Sequence, residues 1–194
     1  ITEINYEKRF AADNDLVSGE AESYGLENEL NYSTRLMHFS VGYTLAYAYK
    51  TVNNWTYYPR YDSRHSLNCA FELNIGSGWK SMMTWTYKSG LPFTPMIGYY
   101  EKLFFDPATF NTDIYNYYFP YAVLGDKNFG RLPSYHRLDI GISKIFDLDF
   151  TTIHFDASIM NVYDRKNLFY YDRTTGERVN MLPFFVSVNV KVEI

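Results

Sequence analysis

The sequence predicts an all-β chain of long antiparallel strands, of the kind that cross an outer membrane as part of a β-barrel. Three observations carry this expectation. Seven segments alternate large apolar side chains with small or polar ones, the period of two that sends successive strand residues to opposite faces. Those segments run for about ten residues or more, against a mode of about 5 or 6 for globular strands and about 9 to 11 for bilayer-crossing ones. The connections between them alternate short and long, as the two rims of such a barrel do.

Taken in order, a first strand is expected within Ile1 through Phe10, where the alternation is poor. In "AESYGLENELNYS", Tyr24, Leu26, Leu30 and Tyr32 oppose Ser23, Gly25, Glu27, Glu29 and Asn31, with Asn28 the exception on the apolar side. "HFSVGYTLAYAYK" sets Phe39, Val41, Tyr43, Leu45, Tyr47 and Tyr49 against Ser40, Gly42, Thr44, Ala46 and Ala48. "HSLNCAFELNI" opposes Leu67, Cys69, Phe71, Leu73 and Ile75 to Ser66, Asn68, Ala70, Glu72 and Asn74. "WKSMMTWTYK" places Trp79, Met83, Trp85 and Tyr87 against Lys80, Thr84, Thr86 and Lys88. In "HRLDIGISKIF", Leu138, Ile140, Ile142 and Phe146 oppose Arg137, Asp139, Gly141 and Ser143, and in "TIHFDASI", Ile153, Phe155, Ala157 and Ile159 oppose Thr152, His154, Asp156 and Ser158. The last segment, "VSVNVKVEI", sets its valines against Ser187, Asn189, Lys191 and Glu193. Tight turns are expected at "STRLM", "GSG" and "DLD", a long connection at "TVNNWTYYPRYD", a very long one from Thr94 to Gly130 and an intermediate one from Asp164 to Leu182.

Composition agrees with this pattern. Aromatic residues make up 20% of the 194, with 20 Tyr and 15 Phe, too many rings for a small core alone. They cluster where segments end, at Trp55, Tyr57, Tyr58 and Tyr61 and again at Tyr163, Phe169, Tyr170 and Tyr171, as an interfacial aromatic girdle would. A net charge of −4 with scattered basic residues argues against a nucleic-acid partner. The single cysteine, Cys69, forms no intramolecular disulfide. No apolar run approaches the roughly 20 residues of a membrane-spanning helix, and "ITEINYEKRF" does not read as a signal peptide. A mean hydropathy of −0.32 is compatible with a barrel, whose two faces average to mildly polar. Alternation alone also fits a soluble β-sandwich or lipocalin-like barrel; strand length and loop asymmetry favour the membrane.

Specific words then narrow the choice. "RLPSYHRLDIGISKIF", followed by "IMNVYDRKNLFYYD" and "LPFFVSVNVKVEI", resembles the last three strands of TonB-dependent outer-membrane receptors, and "GEAESYGLENELNY", "YDSRHSLNCAFEL" and "YKSGLPFTP" look like preceding strands of the same family, of the Bacteroidetes type. The resemblance implies a 22-stranded barrel, plugged by an N-terminal domain, that imports a scarce nutrient such as a ferric siderophore or other metal chelate. It implies that this chain supplies about the last eight strands, that its partners are outer-membrane lipid, its own plug domain and the remaining strands, a small-molecule or peptide ligand, and TonB–ExbB–ExbD through an N-terminal part. The family commonly finishes on an aromatic residue, and Ile194 departs from that. A self-closed eight-stranded barrel is the alternative within the membrane; a lectin-like binding protein is the soluble one.

No catalytic, metal or cofactor constellation emerges. His38, His65, His136 and His154 lie on different segments without metal-ligand spacing. Ser63 and Ser134 lack a nucleophile elbow. His154 and Asp156 share a face as an acid–base pair would, but also as a lumen network would. The polar residues expected to face a lumen are Glu27, Glu29, Glu72, Arg137, Asp139, His154 and Asp156. The expected ligand contacts are the rings of the longest loop: Tyr99, Tyr100, Phe104, Phe105, Tyr115, Tyr117 and Tyr118, since aromatic side chains give stiff contact area and Tyr adds a hydrogen-bonding tip.

Overall fold

The computed structural model describes residues 2–4, 16–100 and 121–194. Its strands, in chain order, are β1 (Thr2–Ile4), β2 (Leu16–Ser33), β3 (Met37–Val52), β4 (Trp55–Tyr57), β5 (His65–Gly76), β6 (Trp79–Lys88), β7 (Pro92–Phe93), β8 (Met96–Tyr100), β9 (Tyr121–Leu124), β10 (Gly130–Arg131), β11 (Tyr135–Leu148), β12 (Thr151–Met160), β13 (Leu168–Tyr171), β14 (Arg178–Asn180) and β15 (Phe185–Glu193). The chain is all-β, and every strand pairing is antiparallel. The main sheet runs β1-β2-β3-β5-β6-β11-β12-β15, with β4 folded back on the end of β3. All seven alternating segments lie on its long strands, and β1 falls within Ile1 through Phe10. The sheet is open: among the described residues β1 and β15 stand at opposite ends and do not pair, so this set of strands does not close an eight-stranded barrel on itself.

Register explains the alternation. One apolar row crosses all seven long strands without a break: Tyr32, Phe39, Phe71, Met83, Ile140, Ile159 and Val186 stand side by side. The neighbouring row on that face holds Leu30, Val41, Cys69, Trp85 and Leu138. The opposite face carries rows such as Asn31, Ser40, Ala70, Thr84 and Asp139, or Glu29, Gly42, Asn68, Thr86 and Arg137. A slip of one residue in any strand would move its whole apolar set to the polar face, so the pattern fixes the pairing. Among the described residues no layer covers the apolar face, and Leu30 is 63% exposed, Val188 60%.

The two rims differ as the spacing predicts. One carries only tight turns: Thr34–Leu36, Ser77–Gly78 and residues 149–150. Thr34 closes the first, its hydroxyl accepting the N–H of Met37 at 3.1 Å. The second needs the left-handed region at Gly76, Ser77 and Gly78 (φ 96°, 49° and 79°), which glycine adopts without a Cβ penalty. Lys144 belongs to the apolar face near this rim, where its ammonium lies over the rings of Trp79 and Phe146, at 5.4 and 5.2 Å, and donates to the carbonyl of Ser77. The other rim holds residues 53–64, 89–100, 121–134 and 161–184, and with them all the short strands after β1: β4, β7 with β10, β8 with β9, and β13 with β14.

Candidate functional site

What burial this open sheet has is concentrated on the long-loop rim, in two polar clusters. The first is centred on Asp62, whose carboxylate accepts the N–H of Ala48 at 3.0 Å and pairs with Arg131. Arg131 also donates to the carbonyls of Asp62 and Gly90, at 3.2 and 3.1 Å. Nearby, Asn128 donates to the Tyr58 carbonyl at 2.6 Å, and its own N–H reaches the Thr94 hydroxyl at 3.0 Å. The Tyr58 ring lies under two guanidinium groups, those of Arg64 and Arg131, at 5.1 and 5.0 Å. These contacts tie the 53–64 loop to the longest loop. Because the Asp62 side chain is 1% exposed, removing Arg131 alone would strand a buried charge, a loss of about 3–5 kcal/mol.

The second cluster is built from two sequence words, "YHRLD" and "NVYDRKN". Asn161 is fully buried, with φ 54°. Its N–H reaches Asp139 at 2.9 Å; its side-chain amide donates to the carbonyls of Arg165 and Leu182 and accepts the N–H of Arg165, all at 3.0–3.1 Å. Asn167 exchanges two bonds with the backbone of His136, at 2.9 and 3.2 Å, as a strand neighbour would. The His136 ring meets the Tyr163 hydroxyl at 2.7 Å, and Asp164 accepts the N–H of Phe184 at 2.9 Å. Spaced polar residues that read as a family word in sequence are here a fastening between β11 and the 161–184 loop.

With both loops fastened, a cleft of about 500 Å³ opens between them. Pro92 and Phe93 form one wall; Phe169, Tyr170 and Tyr171 of β13 form the other. The rings of Phe93 and Tyr171 meet at 5.5 Å. Leu91, Thr94, Met96 and Leu132 add to the lining, as do Arg60 and Arg173, neither of which has a carboxylate partner among the described residues. Asp172 shapes the adjoining turn: its carboxylate accepts the N–H groups of Thr174 and Thr175 at 2.7 and 3.0 Å, first the Thr175 bond and then the Thr174 bond holding it below the usual aspartate range.

The residues expected from sequence are distributed as follows. Arg137 and Asp139 pair on the polar face at 2.8 Å, and Asp139 also serves the Asn161 fastening. Glu27, Glu29 and Glu72 lie on that same face, Glu29 accepting from Asn31 at 2.8 Å. His154 and Asp156 share the face, but no hydrogen bond joins them; His154 Nε2 lies 3.5 Å from Glu193 on β15 instead. Tyr99 and Tyr100 sit on β8, partly exposed, outside the cleft lining. Phe104, Phe105, Tyr115, Tyr117 and Tyr118 lie outside the described residues. Tyr57, expected in an interfacial girdle, is buried in the loop cluster beneath Lys127, while Tyr170 and Tyr171 turn to the cleft.

Sequence reasoning missed Arg60, Phe93 and Arg173, because a solitary arginine or phenylalanine in a loop carries no periodic signal. The only available hint was the aromatic run at Phe169–Tyr171. Among the described residues no three His, Cys, Asp or Glu side chains gather as a metal site would require. No family model, curated protein or solved structure matches the chain.

Proposed function

We propose that the chain is wall and outer rim of a TonB-dependent outer-membrane receptor, contributing about eight of 22 strands to a plugged barrel that imports a scarce nutrient such as a ferric siderophore or other metal chelate. The observation that carries this reading is the unbroken apolar row across seven strands, with large side chains half exposed. A contiguous apolar surface of this extent on a folded protein marks contact with lipid or another protein. Its height suits a bilayer. The apolar stretch of β2 from Tyr24 to Tyr32, at about 3.4 Å per residue and a tilt near 40°, rises about 21 Å, against a barrel band of about 25 Å. On this reading the tight turns face the periplasm and the cleft faces outward. The polar rows border a lumen, and Gly42, where an added Cβ would meet nothing within 4 Å, leaves room for a plug.

The open ends of the sheet support the same view, because β15 pairs only with β12 among the described residues and leaves an edge that a further strand would cover. A lectin-like sandwich requires a second layer over the apolar face, which the described strands do not supply. The test is physiological. Cells lacking the protein should grow poorly on ferric chelates as sole iron source, and re-expression should restore growth only where TonB is intact. Restoration without TonB would overturn the proposal.

A further inference from the structure

The cleft and its neighbour share a charge pattern that composition does not explain. On the far side of the β13–β14 hairpin lies a smaller hollow of about 200 Å³, lined in part by Arg165, Lys166 and Arg178. Together with Arg60 and Arg173, five cations line the two spaces, and among the described residues no aspartate or glutamate does. Over the whole chain acids outnumber bases, 22 to 18. Three acids on these loops are turned to structural work: Asp62 to Arg131, Asp164 to a backbone N–H, Asp172 to its own turn. The result is a group of cations on the rim of a net acidic chain, with Arg60 and Arg173 lining the same cleft as Phe93, Phe169, Tyr170 and Tyr171.

We infer that the larger cleft captures a small organic anion with an aromatic or flat apolar body. Arg60 and Arg173 take its carboxylate or phosphate, while Phe93, Phe169 and Tyr171 take the body. A guanidinium presents planar donors that match both anions, and rings accept a flat partner by stacking. A volume of about 500 Å³ suits a small molecule and is far too small for a folded partner. The Arg165, Lys166 and Arg178 hollow next to it extends the positive field and raises the local concentration of such an anion. This deepens the transporter reading, and rests on it for the purpose of capture but not for the chemistry of binding.

The test is titration of the full protein, in nanodiscs of zwitterionic lipid, with phenyl phosphate, benzoate, inorganic phosphate and benzyl alcohol. Phenyl phosphate and benzoate should bind about tenfold or more tighter than the alcohol, the difference made by one charge-assisted contact, and tighter than inorganic phosphate, which lacks the ring. R60Q/R173Q should lose at least tenfold for phenyl phosphate and leave the alcohol unchanged, whereas R60K/R173K should keep part of the affinity. Equal binding of phenyl phosphate and benzyl alcohol, or full affinity in R60Q/R173Q, would overturn the inference. Quenching of Trp85 by brominated lipid in the same nanodiscs separates the two failures: quenching without anion binding sinks this inference alone, and anion binding without quenching sinks the membrane reading.

Discussion

Asn161 shows how much of the rim hangs on one side chain. It is wholly buried at a left-handed φ that asparagine tolerates and a β-branched residue does not, and its amide pairs with two carbonyls and one N–H. Asn161→Ala should destabilise the protein by about 1–3 kcal/mol, because the carbonyls of Arg165 and Leu182 and the N–H of Arg165 lose their partner. Asn161→Gly loses the same bonds but relieves the backbone, and should fall short of the alanine loss by about 1 kcal/mol. Denaturant midpoints of the two variants check this; a change below about 1 kcal/mol for alanine would mean that water replaces the amide. The type of residue and its position within "NVYDRKN" were legible in sequence, whereas its partners were not, since Leu182 and Asp139 are brought to it only by the fold.

At the scale of elements, legibility followed period and length. The long strands announced themselves because each repeats its two-residue pattern over many turns of the pleat, and Gly76 with Gly78 marked a turn that needs positive φ. Strands β4, β7 to β10, β13 and β14 were invisible: two to five residues are too few to show a period, and their pairing depends on loops already fastened by Asp62 and Asn161. The β13–β14 hairpin offers a pH test of that dependence. Its Asp172 carboxylate is held below its ordinary range by the N–H groups of Thr175 and Thr174, so its contribution is complete above the unfolded-state value of about 3.9 and is lost as pH falls through the lower folded value. Amide resonances of Thr174 and Thr175 should therefore hold their positions from neutrality to about pH 4 and shift below it, and Asp172→Asn, which keeps an acceptor without a proton to gain, should abolish the shift. A shift centred above pH 5, or one that survives in the asparagine variant, would contradict the assignment.

For the whole molecule, the two faces of the sheet and its two rims divide the work. Alternation assigned the faces, and loop length assigned the rims, because both are local properties of the chain. The cleft escaped sequence reasoning for the opposite reason: aromatic density pointed to Tyr99 and Tyr100, while the lining joins Arg60, Phe93 and Tyr171 from three separate loops. The central claim is that the apolar face meets lipid, and Trp79 and Trp85 lie on that face, whereas Trp55 stands opposite Val52 on the polar one. Trp85 lies in an inner row of that face beside Cys69 and Leu138, Trp79 at the tight-turn rim and Trp55 at the long-loop rim. The most direct measurement is quenching of each single-tryptophan variant of the full protein in bilayers whose lipids carry bromine at defined depths. The account predicts that Trp85 is quenched most by bromines deep in the acyl chains, and Trp79 and Trp55 only by shallow ones or not at all; a Trp85 that no brominated lipid quenches would contradict it.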